Sequence, residues 1–205
     1  MHLSLILGAL FAFAILLMFL LQQAAKDNGR IESTEGKMKN VVLIGMPGCG
    51  KSTVGVVLAK TLGYRFLDSD LVIQESENRL LSEMIEEDGL VKFLEIENHI
   101  NASLNVNKTV IATGGSVIYG REAMEHFQKT GIIVYIKLPY EEIRHRLGDL
   151  AKRGVAIKEG QELRGLYEER VPLYEKYADI IIEENGMTIS QTALEIKKQV
   201  LENGK

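Results

Sequence analysis

Residues 45 to 52 read Gly45-Met46-Pro47-Gly48-Cys49-Gly50-Lys51-Ser52, which satisfies the phosphate-loop pattern G-x-x-x-x-G-K-[ST]. A short apolar run, Val41-Val42-Leu43-Ile44, leads in, and Thr53-Val54-Gly55-Val56-Val57-Leu58-Ala59-Lys60 leads out with helical character. Strand, glycine turn and helix is the order that the motif needs. Gly45, Gly48 and Gly50 let the backbone turn tightly and approach a polyphosphate, while the loop N–H groups and the first helical turn face the anion. In such a loop Lys51 reaches the β- and γ-phosphates and the Ser52 hydroxyl meets Mg²⁺. The expectation is a site for a nucleoside triphosphate, ATP with Mg²⁺, docked on residues 45–53 and therefore touching Gly48, Cys49, Gly50, Lys51, Ser52 and Thr53.

The chain has 205 residues, 46% hydrophobic and 25% charged, enough for one globular domain with its own core. A net charge of −4 without a long basic stripe argues against a nucleic-acid partner. A single cysteine excludes an internal disulfide framework, and Cys49 reads as a small residue that fits the loop more readily than as a redox centre. His2, His99, His126 and His145 are scattered, so no metal-ligand cluster forms in the sequence.

Residues 3–21 carry no charge, and as a helix they extend about 28 Å, close to the thickness of a bilayer core. Lys26, Arg30, Lys37 and Lys39 follow the run, a bias that puts the remaining chain on the cytosolic side of a membrane. One reading is a membrane anchor with a polar linker over residues 22–37. The other is an upstream-extended start, with Met38 opening the domain behind the purine-rich codons of Glu35-Gly36-Lys37. On either reading the catalytic domain, residues 38–205, is expected in the cytoplasm, as a monomer acting on a small-molecule substrate.

Beyond residue 39, strand-like runs at 41–44, 64–67, 109–112, 132–137 and 180–182 alternate with helical patterns. The helices are expected at 51–62, 70–79, 82–103, 121–129, 140–147, 161–176 and 188–203. This alternation predicts an α/β fold in three layers, a five-stranded parallel sheet with helices on both faces. Ligands in such sheets sit at the carboxyl ends of the strands. The phosphate loop, Asp68-Ser69-Asp70 and Thr113-Gly114-Gly115-Ser116 each follow a strand, so all three are expected to converge on one crevice.

Phosphoryl transfer needs charge neutralisation and positioning more than covalent chemistry. Of Asp68 and Asp70, one carboxylate suits Mg²⁺ and the other suits the acceptor hydroxyl as orienter or base; the structural alternative is a helix cap. Gly114-Gly115 permits close backbone approach to a substrate, or is a plain turn. Residues 148–154, with Lys152 and Arg153, read either as a basic lid that closes on phosphates or as a solvated loop.

Taken together, these segments resemble the shikimate kinases, small phosphate-loop enzymes of the nucleoside-monophosphate-kinase-like group. The resemblance rests on residues 45–53, Phe66-Leu67-Asp68-Ser69-Asp70, Ile111-Ala112-Thr113-Gly114-Gly115, Arg146 and Arg153, and Arg170-Val171-Pro172-Leu173-Tyr174 followed by Ala178-Asp179. It implies strand order 2-3-1-4-5, a helical substrate-binding segment near residues 71–103 and a lid near 148–160. It further implies that Ser52 and Asp68 serve Mg²⁺ and that Asp70 meets the accepting hydroxyl as base. Gly114 and Gly115 then line the substrate pocket, Arg146 lies against adenine, Arg153 closes on the phosphates and Arg170 pairs with the substrate carboxylate. Arginine's planar fork suits that last task.

Three positions depart from the family pattern. Leu94 stands where the family's Phe-Arg-x-x-Glu motif has an arginine that also grips the carboxylate, Gly154 replaces the lid proline, and Ser116 replaces a third glycine. Losing such a partly buried ionic contact costs about 2–5 kcal/mol, or roughly 30- to 4,000-fold in affinity. Lys92 faces another side of the helix, and Arg79 is the candidate replacement from the neighbouring helix. Three functions follow: an ATP-dependent kinase of shikimate, a kinase of the same fold for a different hydroxylated metabolite, or a membrane-tethered nucleotide-binding module with little turnover. Retention of both Asp68 and Asp70 argues against the third.

Overall fold

In the computed structural model, residues 39–147, 156 and 160–203 are described. Five strands form one parallel sheet: β1 (Asn40–Ile44), β2 (Arg65–Asp68), β3 (Thr109–Ala112), β4 (Gly131–Lys137) and β5 (Ile180–Glu183). Their order is β2-β3-β1-β4-β5, as expected. The helices are α1 (Lys51–Leu62), α2 (Ser69–Glu77), α3 (Leu81–Ser103), α4 (Arg121–Thr130), α5 (Tyr140–Leu147), α6 (Leu163–Tyr177) and α7 (Ile189–Asn203). A short 3-10 turn, Val117–Tyr119, joins β3 to α4 and was not legible as an element.

The burial of β1 explains its composition. All five of its residues are buried, because β3 and β4 flank it and helices cover both faces. A strand in that position reads as a continuous apolar run and not as an alternation. Asn40 is its polar exception, and it is fully used: its amide donates to Val106 O at 2.8 Å and accepts from Thr109 N at 3.1 Å. This pair fixes where β1 and β3 begin relative to each other.

Element ends depart from expectation by one or two residues, and caps account for most of it. Gly63 adopts φ 69° and closes α1 with its N–H directed at Ala59 O and Lys60 O, so β2 starts at Arg65. The Asp68 side chain accepts the Asp70 N–H and starts α2 at Ser69. Asn78, at φ 53°, stops α2 at Glu77. The largest departure lies inside α3, where Gly89 (φ 82°, ψ 163°) leaves helical geometry and divides the element into two segments.

Two clusters fill the interior. The main one unites the sheet with α1, α4, α6 and α7, with Leu58, Phe127 and Tyr135 among its members. A smaller one, Ile73, Met84, Phe93, Ile100 and Ala156, ties α2 to α3. Among the described residues no helix is long and apolar enough to cross a membrane; the proposed anchor, residues 3–21, lies outside them.

Helix α1 approaches the sheet closely at Gly55, where a Cβ would lie 2.7 Å from Phe66 Cε2 and 3.3 Å from Leu43 Cδ1. Gly55→Val should therefore destabilise the domain by about 1–3 kcal/mol through overpacking. Phe66→Leu in the same chain should recover part of that loss in denaturant unfolding. An unchanged midpoint for Gly55→Val, or strictly additive losses in the double variant, would contradict this packing.

Candidate active site

Three segments leave the sheet at its carboxyl edge and meet there. The phosphate loop follows β1, Asp68-Ser69-Asp70 follows β2, and Thr113-Gly114-Gly115-Ser116 follows β3. Thr113 anchors the third to the first: its Oγ1 donates to Leu43 O at 2.9 Å and its N–H donates to the same oxygen at 3.2 Å.

Within the loop, Gly45, Gly48 and Gly50 adopt φ of 147°, 78° and 93°, a region that side chains other than glycine rarely enter. Gly45 is doubly constrained, since a Cβ would meet Ile136 O at 2.7 Å and Cys49 Sγ at 3.0 Å. Lys51, only 8% exposed, folds back on the loop and donates to Gly45 O at 2.8 Å and Met46 O at 3.0 Å. Cys49 is buried against this same turn, as a packing residue would be.

Ser52 Oγ donates to Asp68 Oδ2 at 2.6 Å, while Asp68 Oδ1 accepts the Asp70 N–H at 3.1 Å. Asp68 is thus a helix cap, as the structural reading of Asp-Ser-Asp has it, and at the same time the hydrogen-bond partner of the loop serine. The donor set is a hydroxyl and a carboxylate, hard oxygens that suit Mg²⁺ held also by phosphate and water. Among the described residues no group of three acidic, histidine or cysteine side chains gathers into a protein-only metal cage.

Asp70, Glu97, Gly114, Gly115, Ser116 and Arg170 line an open pocket, with Pro47, Leu81, Phe93 and Ala156 completing its wall. The turn glycines are required by crowding. A Cβ on Gly114 would collide with Glu97 Oε1 and lie 2.8 Å from Asp70 Oδ1; one on Gly115 would lie 2.7 Å from Pro47 Cδ and 3.1 Å from Arg170 Nη1.

Arg170 is 1% exposed. Its Nη2 donates to Ala156 O, its Nε donates to Tyr119 Oη at 3.3 Å, and the guanidinium lies 5.3 Å from the centre of the Tyr119 ring. Nη1 has no hydrogen-bond partner in the structure. Tyr174, four residues on, donates to Gly115 O at 2.6 Å and stacks on Tyr135 with ring centres 5.0 Å apart. The Arg170–Tyr174 segment therefore holds the glycine turn and the arginine as one unit.

Glu97 is the site residue that sequence reasoning left without a role. It is 2% exposed, and its Oε1 has no hydrogen-bond partner. Burial pushes its carboxyl up to about 7, against a hydrogen bond from Ser116, with the Asp70 charge adding to the rise. Burial and the Asp68 charge raise Asp70 to about 6, against the pull of Lys51. The available signal was its place in the Phe93–Glu97 segment, one helical turn from the buried Phe93.

Other expectations divide. Arg146 does stand beside the loop, with its Cβ 3.8 Å from the position of a Cβ on Gly48. Its guanidinium is held by Glu142 at 2.7 Å and by both oxygens of the buried Glu184 at 3.1 and 3.2 Å. Arg79 does not serve the pocket: it is engaged by Glu87 at 3.1 Å and Asp88 at 2.7 Å, on the outside of α3. Lys92 pairs with Glu95 at 3.4 Å, again on an exposed face. Arg153 and the lid residues around it, 148–155, lie outside the described residues.

Both raised carboxyl groups bind their proton more tightly in the folded chain than in the unfolded one. They impose no folding penalty below pH of about 4; the penalty grows as pH rises through about 6 and 7 and is complete above. Glu97→Gln should accordingly raise the thermal midpoint at pH 8 and leave it nearly unchanged at pH 4. Equal shifts at the two pH values would show that Glu97 is not held protonated by its surroundings.

Comparison with known proteins agrees with this fold. The sequence model of the family described as Shikimate kinase matches residues 47–201. The shikimate kinase of Clostridium botulinum (strain Eklund 17B / Type B) is 38% identical over 169 residues, covering 81% of this chain and 100% of the relative. That of Thermodesulfovibrio yellowstonii is 38% identical over 173 residues, covering 82% of this chain and 99% of its own. Among solved structures, shikimate kinase from Acinetobacter baumannii in complex with shikimate superposes with a TM-score of 0.74 at 33% identity, covering 82% of this chain and 96% of that one. The enzyme from Aquifex aeolicus gives a TM-score of 0.67 at 29% identity, covering 80% and 97%. The chain belongs to the shikimate kinase family and, with it, to the small-molecule kinases.

Proposed function

We propose that the protein transfers the γ-phosphoryl group of ATP to a ring hydroxyl of shikimate, yielding 3-phosphoshikimate in the route to aromatic amino acids. The observation that carries this reading is the meeting of Asp70, Gly114, Gly115 and Arg170 in one pocket, beside the loop that holds Lys51. The unpartnered Nη1 of a fully buried arginine is a built receptor for one acceptor carboxylate. In this reading residues 38–205 form the kinase domain, placed in the cytoplasm and acting as a monomer.

The residues divide the work by charge. Lys51 exchanges the carbonyl oxygens of Gly45 and Met46 for phosphate oxygens, a stronger charge-assisted bond. The loop N–H groups of Gly48, Cys49, Gly50, Ser52 and Thr53 share that anion, and Arg146, braced by Glu142 and Glu184, flanks the nucleotide base. Ser52 and Asp68 would hold Mg²⁺, which when bound would supply positive charge to neutralise the phosphate oxygens. Arg170 orients the acceptor through its carboxylate, so that Asp70 accepts the proton of the attacking hydroxyl. A value of about 6 leaves Asp70 mostly ionised at neutral pH yet basic enough to take that proton. Arg153 closes on the transferring group.

A second reading, the same chemistry on a different hydroxylated acid, is favoured by Leu94, which lines an apolar cavity where a second carboxylate grip is expected. Coupled ADP release by the full chain, titrated with shikimate and a panel of hydroxy acids, separates the two. Saturable, shikimate-dependent turnover with sub-millimolar half-saturation supports the first; ATP binding without response to shikimate contradicts it. Asp70→Asn should lower kcat by about 10²- to 10⁴-fold with the fold intact by circular dichroism. Lys51→Ala should lower it by at least about 10²-fold. Near-normal turnover in either variant would remove that residue from the mechanism.

A further inference from the structure

Among the described residues Arg170 is the one cation that lines the acceptor pocket, and neither Lys92 nor Arg79 adds a second grip there. Its unpartnered nitrogen, Nη1, serves an acceptor only while the guanidinium keeps its place. Three contacts hold it. Nη2 donates to Ala156 O, Nε donates to Tyr119 Oη at 3.3 Å, and the Tyr119 ring centre lies 5.3 Å from the guanidinium carbon. Two of the three come from Tyr119, a residue that the phosphoryl-transfer chemistry leaves without a part.

A phenol hydroxyl has one proton, so what Tyr119 offers Arg170 depends on where that proton points. It points at Glu169: Tyr119 Oη donates to Glu169 Oε1 at 2.7 Å, which leaves its lone pairs to accept from Nε. With the proton turned towards Arg170 instead, two donors would face each other. Glu169 is fixed in turn by Gln161, whose Nε2 donates to Oε2 at 2.8 Å. Burial, and after it the bond to Glu169, push the Tyr119 phenol above its usual range against the pull of Arg170, so the proton stays on the oxygen. Two elements bring these groups together. Tyr119 ends the 3-10 turn that follows Gly114-Gly115-Ser116, and Glu169 precedes Arg170 on α6. Tyr174 Oη, donating to Gly115 O at 2.6 Å, joins the same two segments at their other end. We propose that Tyr119 and Glu169 are positioning residues for acceptor binding: Glu169 orients the Tyr119 hydroxyl, and Tyr119 holds Arg170 with Nη1 turned to the acceptor carboxylate. An arginine already held in its binding geometry loses less freedom when the acceptor arrives. With Leu94 in place of a second arginine, the acceptor affinity of this chain depends on that brace.

This inference rests on the proposed acceptor, and its test distinguishes the two. The full chain is assayed with Mg²⁺, varying shikimate and ATP in turn. Tyr119→Phe keeps the ring and removes only the hydroxyl. It should raise KM for shikimate by about tenfold, the loss of one hydrogen bond to a charged group, and leave KM for ATP within about twofold. Glu169→Leu should also raise KM for shikimate. That sign is diagnostic, because a carboxylate acting by its charge alone would repel the acceptor carboxylate, and its removal would lower KM. Adding Glu169→Leu to Tyr119→Phe should change KM little further, since both act through the same nitrogen of Arg170. With the analogue of shikimate whose carboxyl is reduced to CH2OH, the ratio of variant to parent KM should shrink. A parent-like KM for shikimate in Tyr119→Phe, a fall in Glu169→Leu, or independent effects in the double variant overturns the brace and leaves the acceptor assignment standing. No response of the parent chain to shikimate, with ATP still bound, overturns the acceptor assignment and the brace with it.

Discussion

The parallel pairing of β1 with both β3 and β4 is the constraint on which the site depends. Its register sets Leu43 against Ala112 on one side and Ile44 against Tyr135 on the other. The turns after β1 and β3 therefore begin at the same level of the sheet, and β2 ends one strand further out with Asp68 against Ala112. Thr113 ties two of these turns together through Leu43 O. Nothing in the site then needs a long loop to reach its partner. A shift of the β1–β3 register by one residue would separate the phosphate loop from Gly114-Gly115 by about 3.3 Å, more than phosphoryl transfer tolerates.

On that platform the pocket concentrates charge that a single arginine does not fully balance. Asp70 and Glu97 both crowd Gly114; burial raises the proton affinity of each, with the Asp68 charge adding to the rise at Asp70 and the Asp70 charge adding to it at Glu97. Arg170 and Lys51 oppose the effect for Glu97, and Lys51 does so for Asp70. The outcome is two carboxyl groups poised near neutrality, a condition that fits acid–base work and is costly to folding stability. The same crowding explains why the turn has glycine at 114 and 115: side chains there would collide with Glu97 and Pro47. Strain and desolvation are localised at one end of the sheet, while Val41–Ile44 of β1 and Ile132–Val134 of β4 behind it pack as apolar side chains.

Much of this was legible because it is written in local patterns. The phosphate loop announces itself by three glycines between a strand and a helix, and Asp-Ser-Asp and Gly-Gly by their position after strands. Strand order came through the family resemblance and not from periodicity, since alternation of strands and helices leaves several orders open. What escaped depends on tertiary placement. The break at Gly89 was hidden in a continuous helical pattern, because an isolated glycine is tolerated within helices. Glu97 reads as an ordinary helix residue until burial strips it of solvent. Arg79 was expected to compensate for Leu94, yet Glu87 and Asp88 beside it offer nearer partners than the pocket does. Leu94 itself was recognised as a departure, while the cavity that it shares with Leu90, Leu166 and Tyr119 needed the fold to bring four segments together.

The most direct test of the account is a crystal structure of the full chain with a non-hydrolysable ATP analogue, Mg²⁺ and shikimate. The account predicts Lys51 Nζ moved from the carbonyl oxygens of Gly45 and Met46 onto phosphate. It also predicts the acceptor carboxylate on Arg170 Nη1 and a ring hydroxyl on Asp70, in line with the γ-phosphorus. An acceptor bound away from Arg170 and Asp70, or a triphosphate that leaves Lys51 on its own loop, would contradict it.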